Sequence, residues 1–351
     1  MNKITKLFLV ILSAVSMHVY ANAGELTVTG GATATMVQGN DHSAHGKALG
    51  VSNEIDFTAT GELDNGFSWK WQAQMDGATN LNDDTRLEVG TPYGTVAMYI
   101  SEGDLSSKLG YGIGAMGVGD DYKNTFSSAT GKVVWGKNLG GYNNVQYHTP
   151  ADLLPLGIAL KVGYAPNLSD GDGASAKASG AMETNALGED AVQTKITASP
   201  IDGLSIGADY IVFDGPLNTT RYKEEAAGAF AKYAKGPVTI GYAVTGNQPM
   251  TAAASTTVNY ESAMYGVQFA VNDALSLSYS VADYTKHTSS VIGAAGAITA
   301  ASDVDMDTKH IQAAYVVGGA TLGVAIVETD NDDFTTGASA KLTTFSVAMA
   351  F

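Results

Sequence analysis

Between Phe67 and Met75 the chain reads Phe-Ser-Trp-Lys-Trp-Gln-Ala-Gln-Met, apolar at every odd position and polar or small at most even ones. A period of two belongs to a β-strand whose faces meet different surroundings. The same pattern returns at 158–164, 204–212, 238–244, 265–271, 275–281, 311–317, 322–326 and 345–351. Helical periodicity is scarce, and no stretch after the first residues holds 18 consecutive apolar side chains, so a membrane-spanning helix is excluded. The chain is all-β.

The second face narrows the class. In a water-soluble sandwich it would be rich in Lys and Glu. Here it is mostly Gly, Ala, Ser, Thr and Gln, and charged residues are only 15% of the chain against about 25% in soluble domains. Such a face suits a crowded or water-filled interior. The apolar face, with its recurring Tyr, Phe and Trp, suits lipid with interfacial aromatics. Strands can lie in a membrane only as a closed barrel, because an open edge would leave backbone groups unpaired in hydrocarbon. Sixteen strands are expected, at 25–37, 53–62, 66–76, 83–90, 94–100, 143–149, 156–165, 191–200, 204–213, 225–234, 237–245, 258–271, 274–286, 306–317, 320–328 and 341–351. Short turn-forming links such as Asp64-Asn65-Gly66 and Gly318-Gly319 alternate with long ones, of which 101–142 is the longest. A further strand at 131–137 is a weaker expectation.

Residues 1–23 read as an export signal: Lys3 and Lys6, an apolar run from Leu7 to Val19, then Ala21-Asn22-Ala23. The barrel domain is then 24–351. Two Lys and no acid leave with the leader, so the charge of −16 becomes −18. With two Arg in all, the chain lacks the basic face that nucleic-acid binding needs. It has no cysteine, hence no disulfide framework. No nucleophile elbow or zinc-protease helix is present. Gly112-Ile-Gly114-Ala-Met-Gly117 matches a dinucleotide fingerprint by letter but lacks the strand-and-helix context that motif requires.

Four features of the chain resemble the general porins of Gram-negative outer membranes. It opens on the strand Glu25-Leu-Thr-Val-Thr-Gly30. Its third loop, after Gly94-Thr-Val-Ala-Met-Tyr-Ile100, is the longest. Asn143-Asn-Val-Gln-Tyr-His-Thr-Pro150 looks like the family's strand and turn at that place. The chain ends on Phe351. The resemblance implies a 16-stranded antiparallel transmembrane β-barrel with a long inward-folded third loop, and a homotrimer in the outer membrane. It also implies contact with lipid and lipopolysaccharide, and Phe351 as the signal read by the barrel assembly machinery. The function it implies is passive diffusion of small hydrophilic solutes and ions, without catalysis.

The family sets acids of the third loop against a basic wall. The loop acids here are Glu102, Asp104, Asp120 and Asp121. By parity the wall presents Lys70, Arg86 and Lys161, but also Glu54, Asp56 and Glu88, and the usual Arg before the loop is replaced by Tyr99 or Ile100. With so many acids a cation preference is expected. Asp170 with Asp172, Asp303 with Asp305 and Asp307, and Asp330 with Asp332 and Asp333 are acidic loop clusters that could hold a structural Ca2+ or Mg2+; no other cofactor is expected. The competing readings are a substrate-specific channel, an outer-membrane barrel enzyme and a secreted all-β adhesin.

Overall fold

The computed structural model describes residues 24–40, 47–76, 84–106, 108–115, 138–150, 152–166, 168, 190–214, 224–248, 257–292 and 298–351. The export signal, Asp120, Asp121, Asp170, Asp172 and the strand considered at 131–137 lie outside these residues. In chain order the strands are β1 (Glu25–Asn40), β2 (Lys47–Glu62), β3 (Ser68–Asp76), β4 (Thr85–Thr91), β5 (Gly94–Ile100), β6 (Asn144–His148), β7 (Ala159–Ala165), β8 (Asp190–Ala198) and β9 (Leu204–Asp214). They continue with β10 (Glu224–Lys235), β11 (Val238–Gln248), β12 (Thr257–Ala270), β13 (Leu275–Thr288), β14 (Val291–Ile292), β15 (Ile298–Thr299), β16 (Ser302–Val317), β17 (Ala320–Asp330) and β18 (Ser339–Ala350). The short β14 and β15 pair only with each other. The other sixteen form one closed barrel, each antiparallel to its neighbours in sequence order, with β18 returning to β1. Each of the sixteen expected strands is present.

The period of two becomes two walls. Outward go the large apolar side chains: Trp71 on β3, Ile240 and Tyr242 on β11, Tyr265 and Phe269 on β12, Ile311 and Tyr315 on β16, all exposed. A protein folded for water would not display them together. Inward on β1 and β2 go hydroxyls and carboxylates. The cross-strand pairs are Thr33 with Ser52, Gly31 with Glu54, Thr29 with Asp56, Thr27 with Thr58, and Glu25 with Thr60.

Several strands run further toward the long-loop end than expected, and this corrects one assignment. Asp303, Asp305 and Asp307 are on β16, and Asp330 ends β17, instead of sitting in loops. The polarity of the two faces inverts there. Val304 and Met306 turn inward to an apolar cluster with Tyr260, Met264 and Tyr284, while the aspartates between them turn out. A strand that clears the hydrocarbon meets water on its outside and packed loops on its inside, so acids mark its outer face as well as they mark a loop. Among the described residues no three Asp, Glu or His side chains converge as a metal-ligand set.

The connection between β17 and β18 folds over this inverted rim. Asn331, Asp333 and Phe334 all have left-handed backbones (φ 53°, 53° and 55°), a conformation costing a non-glycine residue roughly 1–2 kcal/mol. Asn331 offsets its share: its side chain donates to the Asp305 carbonyl and accepts from the Gly337 N–H. Asp332 is buried beside it. Phe334 is held by its ring, which is buried in the apolar cluster with its centroid 5.5 Å from that of Tyr260. Phe334→Ala should therefore destabilise the barrel by about 3 kcal/mol. Phe334→Gly, which loses the same ring but relieves the left-handed strain, should cost about 1 kcal/mol less. The thermal midpoint of the folded species in detergent orders the three proteins.

Candidate functional site

Two residues turn the chain into the barrel after β5. Ser101 is left-handed at φ 54° and Gly103 lies at φ 90°. A Cβ on Gly103 would come within 2.8 Å of the Tyr99 ring, so the chain closes onto that ring only with glycine there. The Asn144 side chain then donates to the Glu102 carbonyl (2.8 Å) and that of Gln146 to the Gly103 carbonyl (2.5 Å). Leu105 and Leu139 fill the notch left by Gly163 on β7, and Lys195 on β8 donates to the Ser106 carbonyl at 2.8 Å. A single helical turn, Lys108–Tyr111, follows. Gly110 sits against the Phe230 ring of β10. Tyr111 and Ile113 are wholly buried, with Ile113 over Gly241 of β11 and Gly266 of β12. The Ala115 N–H donates to Ser278 on β13 (2.8 Å). The described part of the third loop thus lies inside the barrel and follows its inner wall from β5 to β13.

A charged network stands where the loop departs. Pairing register puts Gln72, Arg86, Tyr99 and Asn144 in one cross-strand row, with Lys70 and Glu88 in the next. The Arg86 guanidinium lies 3.8 Å from Glu88 and 3.6 Å from Glu102, and donates to Gln72. Gln72 in turn donates to Asp56 (2.9 Å), as does Gln74 (3.1 Å). The Tyr99 hydroxyl donates to Glu88 (3.1 Å). Lys70, Arg86 and Lys161 face Asp56, Glu88 and Glu102, three charges of each sign. Burial pushes the Glu102 carboxyl above its ordinary range, and Arg86 pulls it part of the way back.

The structure therefore brings Asp56, Lys70, Arg86, Glu88 and Glu102 together. Glu54 stands one inward position from Asp56 along β2, toward the long-loop end. Asp104 accepts from the Ser106 N–H and is within electrostatic reach of Lys195. Lys161, on β7 and paired in register with Lys195, is within electrostatic reach of Glu88. Reasoning from sequence missed Gln72, Gln74, Asn144, Gln146 and Lys195. The two glutamines were legible as the polar partners of the Trp69–Met75 alternation. Nothing local marks Lys195, whose role comes from a carbonyl 89 residues away in sequence.

On the far side the inner wall is covered. Inward-facing Thr308, Gln312 and Thr329 are at most 2% exposed. On β1 and β2 the inward-facing Thr27, Thr29, Ser52, Glu54 and Thr60 are exposed. There a groove of about 470 Å3 is lined by Thr29, Thr33, Ser52, Glu54 and Asp56, with backbone of Gly30, Gly31 and Asn53.

A sixteen-stranded closed barrel, apolar outside and polar inside, with a long loop laid along its inner wall, is the fold of the outer-membrane porins. Three solved structures illustrate the likeness. Salmonella typhi OmpF, in complex with daunomycin, superposes with a TM-score of 0.63 at 14% identity over 95% of this chain and 100% of that one. An anion-selective porin from Comamonas acidovorans gives 0.63 at 12%, over 93% and 100%. The trimer form of OmpT, an outer membrane protein of Vibrio cholerae, gives 0.63 at 12%, over 94% and 100%. No family model matches the sequence, and no curated protein matches it. At these identities the likeness is one of fold.

Proposed function

We propose that the protein is an outer-membrane channel through which small hydrophilic solutes and ions diffuse passively, with a preference for cations. The observation that carries this reading is the pairing of an outer wall of exposed apolar side chains with an open, hydroxyl- and carboxylate-lined wall inside the same closed barrel. The fold does not set the sign of the ion, since a porin described as anion-selective shares it. The sign must come from this chain's own lining, whose inward positions on β1 and β2 carry Glu25, Glu54 and Asp56 and no Lys or Arg. Assembly as a homotrimer is part of the proposal; the outward patch of Met36, Leu49, Val51, Phe345 and Val347 offers an apolar surface for it.

The test is the reversal potential of the refolded protein in a planar bilayer under a KCl gradient. The expected result is a cation-selective potential, with conductance closing in three equal steps. An anion-selective potential would keep the channel and overturn the preference. A folded barrel without conductance would overturn the channel.

Two outcomes follow from the network. Arg86→Gln leaves Glu88 and Glu102 without their shared cation, and the cluster loses one positive charge. The cation-to-anion permeability ratio should rise about tenfold, because one charge about 5 Å away in water changes each ion's population about fourfold, in opposite directions for the two ions, and salt screens part of this. Lowering the pH should act in the opposite direction. A carboxyl whose pKa is raised loses its charge earlier as pH falls, so Glu102 discharges while exposed carboxylates, with pKa near about 4.3, remain ionised. The cation preference should therefore begin to fall above that range, and Glu102→Gln should remove this first step.

A further inference from the structure

We propose that the connections from β6 to β7 and from β8 to β9 form an apolar foot, built on Leu153, Leu154, Leu156 and Ile201, that seats among the acyl chains of a zwitterionic phospholipid leaflet. This rests on the outer-membrane reading given above.

The foot departs from the other short connections. Gly236-Pro237 and Gly318-Gly319 turn the chain in two residues, and the link from β12 to β13 carries Asn272 and Asp273. The β6–β7 link, residues 149–158, is longer and mostly apolar. Leu153 and Leu156 are each 60% exposed, and so is Ile201 in the β8–β9 link. The Ser199 N–H donates to the Leu156 carbonyl (3.0 Å), which joins the two links. Large apolar side chains grouped in this way mark a surface that meets something other than water.

The backbone at Leu156 gives a second reason to expect a cover. It is left-handed, at φ 61° and ψ 22°. Glycine adopts that conformation without steric cost, and leucine does not. Phe334 is strained in the same way, but its ring is buried in return. Leu156 gains no such burial within the chain, and its hydrogen bond from Ser199 uses a backbone carbonyl that glycine would supply as well. Burial against a surface outside the chain offsets the strain. The links are also stiff. Pro150, Pro155 and Pro200 fix φ. The Leu153 and Ile158 N–H groups donate to the carbonyls of Pro150 (3.3 Å) and Pro155 (3.2 Å). A rigid surface loses little freedom on being covered.

Continuity names the cover. The outward face of β7, β8 and β9 presents Leu160, Ile196 and Ile206, with Leu160 and Ile196 paired across the strands. Between that wall and the foot the outward residues are Ile158 and Ala198, so no charge interrupts the apolar surface. Lipid that covers the wall therefore reaches the foot. The only charged residues of the two links are Asp152 and Asp202, both exposed, and neither link has a Lys or Arg. Two carboxylates suit a headgroup that carries its own cation and disfavour one with a net negative charge.

The experiment uses the absence of cysteine from the chain. Leu156→Cys and Ile201→Cys each supply one thiol for an environment-sensitive fluorophore, and Asp64→Cys in the β2–β3 turn is the reference. In phosphatidylcholine bilayers the labels at 156 and 201 should lie about 5–10 Å into the boundary of headgroups and acyl chains. Their emission should shift to the blue and be quenched by lipid brominated near the headgroup, while the label at 64 should emit as in water. Two positions keep the test decisive where one variant does not fold. Water-like emission from the foot, in a protein that still conducts, would overturn the proposal and leave the channel standing. A wild type that forms no barrel in the bilayer would remove the outer-membrane reading itself. Replacing half of the lipid with phosphatidylglycerol should weaken the quenching, and Asp152→Asn combined with Asp202→Asn should restore it. Equal quenching in the two bilayers would overturn the choice of headgroup.

Discussion

An Ile113→Asp protein should form the same barrel yet pass roughly twice the current of the wild type, as expected if a loop that narrows a sixteen-stranded lumen leaves its wall. Ile113 is completely buried over Gly241 and Gly266. Burying a carboxylate in that apolar notch costs more than an isoleucine's burial contributes, and the half-buried Lys232 ammonium, near Gly112, offsets only part of that cost. The loop can avoid the cost only by lifting away, and the strand ladders do not depend on it. Gly241→Val should do the same from the other side, because a Cβ on Gly241 would come within 2.7 Å of the Ile113 side chain. Agreement between a charge on the loop and an isopropyl group on the wall would locate the effect at their contact. Single-channel conductance is the readout, with unchanged heat-modifiability on gels as the control. Conductance equal to that of the wild type in both variants would mean that this anchor does not set the width of the passage.

The membrane-facing half of this fold is legible in the sequence because one physical demand acts on it alone. Lipid requires an apolar side chain at every second position, and segments such as 238–244 and 275–281 carry little else on that face. The reading weakens where that demand ends. Asp303-Val-Asp-Met-Asp307 alternates as strictly as any strand, but with the apolar side chains turned inward, and acids at regular spacing pass for a loop. Of the site, parity identified Lys70, Arg86, Glu54, Asp56 and Glu88, because Trp69 and Trp71 fix the opposite face. It could not show that Arg86 is divided between Glu88 and Glu102. That depends on Ser101 turning the chain inward and on the register between β4 and β5. Nor could it show that Thr27, Thr29 and Ser52 stay exposed while Thr308, Gln312 and Thr329 are covered, since both sets are small or polar side chains facing the lumen.

The barrel seam carries the other large expected effect, and it separates two roles of one residue. Phe351 donates its N–H to the Gly30 carbonyl and accepts from the Gly30 N–H, at 2.9 and 2.8 Å, just beyond the last residue of β18. Its ring faces outward and is 70% exposed. Gly30 permits this close approach: a Cβ there would come within 2.6 Å of the Glu54 carbonyl and 2.9 Å of the Phe351 ring. Gly30→Val should therefore prevent closure, and the compact species on unheated gels should be lost. Deleting Phe351 leaves both Gly30 backbone groups without partners at an apolar surface and should cost about 2–4 kcal/mol of barrel stability. Phe351→Ala keeps both hydrogen bonds and loses only the ring, so the purified chain should refold nearly as well as the wild type. If the terminal ring also serves as an assembly signal, as the resemblance to porins implies, Phe351→Ala should fail in cells while succeeding in detergent. Equal failure of the deletion and Phe351→Ala in detergent would show instead that the ring, and not the seam's hydrogen bonds, closes the barrel.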